Sequence, residues 1–319
     1  MSLQEYGRLP LISERTLRRH HAYESADNRF RSAARLRQAL LREQQGWPIG
    51  EYRTARGTRR KLGSYVNSTA GTKAVNFITP EVARLVRREV AYREEGALID
   101  EGRLWTNLLS SAPATFNVLG PMKLNLRLAT AVLRSICPDF VRRVTAILFE
   151  HSPARSHPAF THDRTAFDAL GKCETRYGSH GFVAIELKYS ESMTEPPARV
   201  RPRYDVLSRT SGLYRDPDHP ALRQNPLQQL WRQHMLAAAM VQNGLYSTGR
   251  FILVAPTFNT QVAEAVCLYR QHLTDDPPVD FDAVSLETVI AAIKRAGADD
   301  IGDLLHDRYC NFDPVDALI

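Results

Sequence analysis

Residues 165–191 read TAFDALGKCETRYGSHGFVAIELKYSE, and this stretch decides the fold. Its second half, 182–189 (FVAIELKY), is rich in β-branched and aromatic residues and reads as a strand. Tyr177-Gly178-Ser179-His180-Gly181 is a turn signal, and the run 165–170 before it is short and apolar, with Asp168 inside it. The two runs therefore pair as a hairpin. Alternate strand residues share a face, so Val183, Ile185, Leu187 and Tyr189 lie on one side and Phe182, Ala184, Glu186 and Lys188 on the other. A strand this apolar belongs near the centre of a sheet covered on both faces, yet one face carries a carboxylate and an ammonium. Burying each ion costs several kcal/mol, roughly, unless it is paired or holds a metal. Asp168 on the neighbouring strand adds a second carboxylate, and two carboxylates converging on one point repel unless a cation lies between them. A hard divalent ion resolves the conflict. Mg²⁺ takes few carboxylates, several waters and phosphate oxygens. The alternative for Glu186 and Lys188 is an exposed ion pair on an edge strand, worth little.

Outward from the hairpin, the pattern alternates. After a long loop over 192–225, a helix is expected with Asn225 as N-cap, Pro226 as first residue and Gly244 as its stop. A buried strand over 250–255, a helix opening at Asn259 or Thr260 and running to about 273, and a strand over 281–285 follow. Ahead of the hairpin, 141–149 reads as a strand after Asp139, and 98–135 as mainly helical with breaks near Pro113 and Gly120-Pro121. Within it, Leu124, Leu128, Ala131, Val132 and Ile136 are expected on one buried stripe. Thr79-Pro80-Glu81 opens a helix through Val90 that Gly96 ends. Residues 13–45 read as a basic helical stretch, and 46–71 as a loop carrying Arg56-Gly57-Thr58-Arg59-Arg60-Lys61. Strands alternating with helices give an α/β class. No internal repeat is present. A boundary near 110–115 would part a basic, mainly helical N-terminal region (1–110) from a core with an acidic C-terminal segment (111–319).

The chain has 319 residues, 43% hydrophobic and 24% charged, long enough for a stable core and too apolar for disorder. Its apolar runs are far shorter than a bilayer span, and MSLQEYGRLP lacks the order of a secretory signal. The four cysteines form no C-x-x-C pair. A soluble protein of a reducing compartment, the cytoplasm, is expected. The net charge of +7 divides as +8, +7 and −8 over residues 1–110, 111–270 and 271–319. A basic, arginine-rich body attracts polyanions, nucleic acid foremost. His151, His157 and His162-Asp163 crowd one segment, but their spacing fits neither a helical pair nor a zinc finger. There is no Walker, G-x-G-x-x-G or G-x-S-x-G sequence, so an NTPase motor, a dinucleotide site and a serine hydrolase lack support.

Asp168, a spacer, then Glu186-Leu187-Lys188 on a strand resembles the signature of the PD-(D/E)XK, or restriction-endonuclease-like, nuclease superfamily. The phrases AFDAL, GFVAIELKYSE and NPLQQLWRQHMLAA resemble a bacterial restriction-endonuclease-like group within it. The resemblance covers roughly residue 104 onward; no proline precedes Asp168, a departure often met in the family. It implies a mixed central sheet flanked by helices and a Mg²⁺-dependent endonuclease, with Mn²⁺ as substitute. Asp168, Glu186 and the Leu187 carbonyl would be the ligands, with Glu150 as a further acidic candidate at the end of its strand. Lys188 would hold or help deprotonate the attacking water and stabilise the phosphate. Gln229, Arg232 and Gln233, at i, i+3 and i+4 on the following helix, share a face and would touch substrate, or else form a plain polar face. Asp163 reads as a turn residue opening the strand.

The expected partner is nucleic acid, double-stranded DNA first, in a restriction or defence role, with a homodimer and further defence subunits as companions. Phosphate contacts from the basic N-terminal region would supply affinity rather than sequence choice. Two readings stand against it: a non-catalytic nucleic-acid-binding or assembly protein on the same scaffold, and a nuclease directed at RNA.

Overall fold

The computed structural model describes residues 9–53 and 57–319; the opening MSLQEYGR and Arg56 of the basic run lie outside the described residues. The expected single stretch over 13–45 is two helices, α1 (Glu14–Arg19) and α2 (Arg29–Gln44). Each has its own cap: Ser13 accepts from the Thr16 amide at 3.1 Å and Asn28 from the Arg31 amide at 2.7 Å. The expected loop over 46–71 is a correction of a larger kind. It holds the antiparallel pair β1 (Ile49–Arg53) and β2 (Arg59–Val66) and the short α3 (Ser68–Thr72). Gly63 within β2 permits a close approach: a Cβ there would lie 2.3 Å from the His20 carbonyl oxygen.

Thr79 and Pro80 start α4 (Pro80–Ala91) as expected, with Thr79 accepting from Val82 at 3.2 Å. It ends at Ala91, ahead of Gly96. Then come α5 (Glu101–Thr106), α6 (Ser111–Leu124) and α7 (Leu126–Ile136). Neither Pro113 nor Gly120-Pro121 interrupts α6. Pro113 sits in the first turn, where no intrahelical donor is required. Gly120 lets α4 approach, since a Cβ there would meet Val82 and Leu85 side chains at 3.3 and 3.4 Å. The buried stripe of α7 is Leu128, Ala129, Val132 and Leu133; Leu124 and Ala131 are exposed, because the helix begins afresh at the Asn125 cap.

The central sheet is five-stranded and mixed, in the order β3 (Val141–His151), β4 (Phe167–Thr175), β5 (His180–Leu187), β6 (Thr248–Ala255) and β7 (Val279–Ser285). β3, β4 and β5 pair antiparallel, whereas β5, β6 and β7 pair parallel through helical crossovers. The segment expected as a loop over 192–225 contains α8 (Pro202–Thr210) and a 3₁₀ turn (Pro220–Arg223). α9 (Gln228–Gln242) begins later than expected, with Leu227 rather than Asn225 as its N-cap. The remaining helices are α10 (Thr260–Gln271), α11 (Leu286–Arg295), α12 (Asp299–Tyr309) and α13 (Asp313–Asp316).

The two faces of β5 separate as its alternation demands. Val183, Ile185, Leu187 and Tyr189 join the apolar layer shared with α2, α6, α7 and α11. Phe182 and Ala184 join the layer under α8, α9 and α10. Each large side chain so buried contributes roughly 1.5–3 kcal/mol, and together they fix the register that carries Glu186 and Lys188. Helix α2 joins the first layer through Phe30, whose ring meets Tyr189 edge-on at 6.4 Å. Arg37 on the same helix, 1% exposed, donates to the Asn311 carbonyl at 2.8 Å. Among the described residues no helix is long and apolar enough to cross a membrane.

Candidate active site

One end of the sheet gathers its charge. The β4–β5 register pairs Ala169 with Ile185, so Asp168 and Glu186 are the next opposing positions and lie on the α9 side of the sheet. Lys188 follows one residue beyond β5, and its amide still donates to Val254 at 2.8 Å. Glu150 sits near the end of β3 with a φ of 47°, an αL conformation that turns the chain at the sheet edge. The Leu187 amide, past the last β4–β5 pair, donates to Asp168 Oδ2 at 2.8 Å. The Leu187 carbonyl points to that same side of the strand.

Glu186 and Lys188 are buried, at 3% and 6% exposure, and are partnered. Lys188 Nζ lies 2.8 Å from Glu186 Oε1 and donates to Gln229 Oε1 at 2.8 Å. Gln229 Nε2 donates to Glu186 Oε1 at 2.6 Å, and Gln233 Nε2 to Glu186 Oε2 at 2.6 Å. The i, i+4 amides of α9 thus clamp both oxygens of one carboxylate. Arg232 lines the same cavity but does not bond Glu186: Nη1 donates to Thr165 Oγ1 at 2.9 Å and approaches Asp163 Oδ2 at 3.2 Å.

Asp163 is a hub rather than a plain turn residue. It accepts from Thr161 Oγ1 at 2.6 Å, the Thr165 amide and hydroxyl at 2.9 and 2.7 Å, and Tyr204 OH at 2.5 Å. Burial would raise its pKa, but these donors outweigh it and hold the carboxyl below its ordinary value. Glu191 was not foreseen. It accepts from the amides of Tyr189, Ser190 and Ser111 at 2.9, 3.0 and 3.0 Å. Burial pushes it up, yet the Lys188 charge and these donors bring it below the usual range. A charge three residues after Lys188 was the available signal; its anchor, the N-terminus of α6, is far away in sequence.

The opposite holds where the carboxylates face one another. Burial, then the charges of Glu186 and Glu150, pushes Asp168 well above the ordinary aspartate value. Burial and Glu186 raise Glu150 to about 7. Burial alone would lower Lys188, but Glu186, Glu191 and Asp168 reverse this and hold it as the ammonium. No group of three His, Cys, Asp or Glu side chains stands in a ligating array among the described residues. The donor chemistry nevertheless fits a hard divalent cation: mutually repelling carboxylate oxygens, a backbone carbonyl beside them, and the buried Gln233 Oε1 without a partner. Of the three histidines crowding this segment, His151 bonds Glu94 and His157 accepts from the Ala159 amide.

A cavity of about 1260 Å³ opens over the carboxylates, rimmed by Arg164, Arg199, Arg201, Arg203 and Arg232. Mixed sheet, acidic pair and lysine at one sheet end define the restriction-endonuclease-like class of α/β protein. A family model of the PD-(D/E)XK nuclease superfamily matches residues 25–311 of the 319, and the chain belongs to that superfamily. No curated protein and no solved structure matches the chain.

Proposed function

We propose that the protein is a Mg²⁺-dependent endonuclease that hydrolyses phosphodiester bonds of DNA, with Asp168, Glu186 and Lys188 as its catalytic residues. The observation that carries this is the meeting of Asp168, Glu186 and Lys188, with Glu150 at their side, beneath an arginine-rimmed groove. Asp168, Glu186, the Leu187 carbonyl and Glu150 would hold the ion. A bound divalent ion lowers the pKa of coordinated water and offsets charge on the scissile phosphate. Lys188, an ammonium between Glu186 and Gln229, donates hydrogen bonds toward water or phosphate; in this state it serves as donor rather than base. Gln229 and Gln233 fix Glu186, and Arg232, braced by Asp163, offers charge to a phosphate in the groove. The arginine fork suits phosphate. Mn²⁺ would substitute for Mg²⁺ with the same oxygen donors. The restriction or defence setting, and a homodimer that would cut both strands, rest on the resemblance in sequence.

Retained charge argues against a retired scaffold, since an unneeded Glu186–Lys188 pair would be replaceable by apolar side chains at no loss of stability. Incubation with supercoiled plasmid and with structured RNA, each with Mg²⁺, Mn²⁺ or chelator, tests the reading. Metal-dependent nicking lost in Asp168→Ala and Lys188→Ala, with DNA binding kept, supports it. Binding without cleavage in any metal overturns it, and preferential cutting of RNA overturns its DNA half.

A further inference from the structure

β5 ends at Leu187, and the Lys188 amide, donating to the Val254 carbonyl, makes the final ladder bond of this strand. Lys188 therefore stands where the sheet stops holding the chain, and the turn beyond it decides where its ammonium points. That turn, residues 189–191, is gripped from four places. Arg31 Nη1 of α2 donates to the Ser190 carbonyl at 2.8 Å, and Ser190 Oγ donates to the Leu109 carbonyl at 3.0 Å. Asn259, the cap of α10, donates to the Tyr189 and Glu191 carbonyls at 3.1 and 3.0 Å. The fourth grip is the Glu191 side chain. Oε2 accepts from the Tyr189 and Ser190 amides, at 2.9 and 3.0 Å, and Oε1 from the Ser111 amide at 3.0 Å. Ser111 is the first residue of α6, where an amide has no partner inside its own helix.

The chemistry of this knot calls for a carboxylate. Three N–H donors converge on two oxygens, and an ionised carboxyl group carries acceptors at both and a donor at neither. The first turn of α6 also favours negative charge beside it. Both oxygens of Glu191 are committed to amides, which sets it apart from the carboxylates that face one another across the sheet end. On the far side of the turn, Lys188 Nζ lies 2.8 Å from Glu186 Oε1 and 2.8 Å from Gln229 Oε1. A bridge of that kind depends on where the backbone delivers the lysine.

We infer that Glu191 is a positioning residue for Lys188: by tying the turn after β5 to the first amide of α6, it holds the ammonium in the bridge between Glu186 and Gln229. Its effect on rate rests on the hydrolytic reading above; the mount itself does not. A shift of about 1 Å in a group so placed costs up to about a hundredfold in rate.

Two variants of the full chain test this from opposite sides of the knot, and either one decides if the other fails to fold. Glu191→Gln sets an amide nitrogen against an N–H donor. Ser111→Pro removes the anchoring amide at a first-turn position that suits proline, after Ser110 in the extended conformation (φ −78°, ψ 142°) that proline requires of its predecessor. Single-turnover plasmid nicking in Mg²⁺ and Mn²⁺ gives the rate, and anisotropy in chelator gives DNA affinity. Amine acylation, read by peptide mass spectrometry, reports whether Lys188 has been freed; Lys123, half-buried in its ion pair with Glu89, reports general loosening. Both variants should nick about tenfold slower or more at unchanged DNA affinity, with Lys188 acylated faster and Lys123 not. A wild-type nicking rate, unchanged acylation of Lys188, or Lys188 and Lys123 loosened together overturns the inference and leaves the nuclease reading intact. Lys188 alone freed in the variants, with no nicking by wild type in either metal, upholds the mount and sinks the hydrolytic reading.

Discussion

Glu150→Gln should stabilise the metal-free protein above neutral pH and remove a pH slope from its stability. The Glu150 carboxyl is raised from 4.5 to about 7, first by burial and then by the Glu186 charge, with Arg155 opposing and Glu94 adding. The unfolded chain releases this proton near 4.5 and the folded chain near 7, so the folded state binds more protons in between. Stability therefore falls as pH rises through that window, and the full cost is present above it. At about 1.4 kcal/mol per pH unit of separation the gap is worth roughly 3 kcal/mol, and roughly 2 after solvent screening at its partly exposed edge. Urea unfolding in chelator, at about pH 5 and about pH 8.5, gives the wild-type loss and the variant loss. Their difference isolates this carboxyl from every other titrating group. Wild type should lose roughly 2 kcal/mol more than the variant, and Mg²⁺ at the higher pH should restore more stability to wild type. Parallel pH slopes, or a wild-type midpoint that Mg²⁺ leaves unmoved, would refute the view of this sheet end as carboxylates repelling for want of a cation.

Lys188→Met removes the cation between Glu186 and Gln229. Plasmid hydrolysis should fall by about a hundredfold or more, with DNA affinity by anisotropy unchanged; an active variant would disprove the role. His234 is fully buried between Tyr269 and the Val279 carbonyl, and burial lowers its pKa from 6.5 to about 4. The unfolded state gains this proton first, so stability should drop by roughly 3 kcal/mol as pH falls from 6.5 to 4. Equal acid slopes for wild type and His234→Gln in urea unfolding would contradict that. Gly249→Ala would place a Cβ 2.2 Å from the Phe182 ring and should cost about 1–3 kcal/mol. Phe182→Leu in the same chain should recover part of the loss in thermal unfolding, and a purely additive pair would show that the ring is not the obstacle.

The sheet was legible where burial on two faces forces an uninterrupted apolar run. β5, β6 and β7 and the caps at Thr79 and Asn259 fall where local chemistry places them. Misreadings cluster where tertiary contact overrides local preference. Gly120 looks like a break and the segment holding Gly63 like a loop, but each glycine is small so that another helix or backbone can come close. The β1–β2 pair carries exposed Arg59, Arg60 and Lys61 on a strand whose buried residues start only at Leu62, so its alternation is hidden by charge. Helix α8 was missed because its arginine-rich approach and start read as loop, while its buried residues are only Tyr204, Leu207 and Ser208.

At the site, Glu186 and Lys188 were legible because period two sets polar residues on an apolar face, and the α9 trio because helical spacing does the same. Their division of labour was not. Two glutamines take Glu186 and the arginine turns to Asp163, a choice made by the position of Thr165 and Tyr204. That choice also separates the two candidate aspartates. Asp163 gives both oxygens to hydroxyls, an amide and a guanidinium, and its lowered pKa records charge already satisfied. Asp168 accepts from the Leu187 amide and faces Glu186 and Glu150, and its raised pKa records charge unsatisfied. Only the second arrangement gains from a divalent cation, so Asp168→Asn should abolish Mg²⁺-induced stabilisation. Asp163→Asn should leave the metal response and weaken phosphate binding through a loosened Arg232. Calorimetric titration of Mg²⁺ into both variants decides between them, and loss of the metal response in the Asp163 variant alone would reverse the assignment.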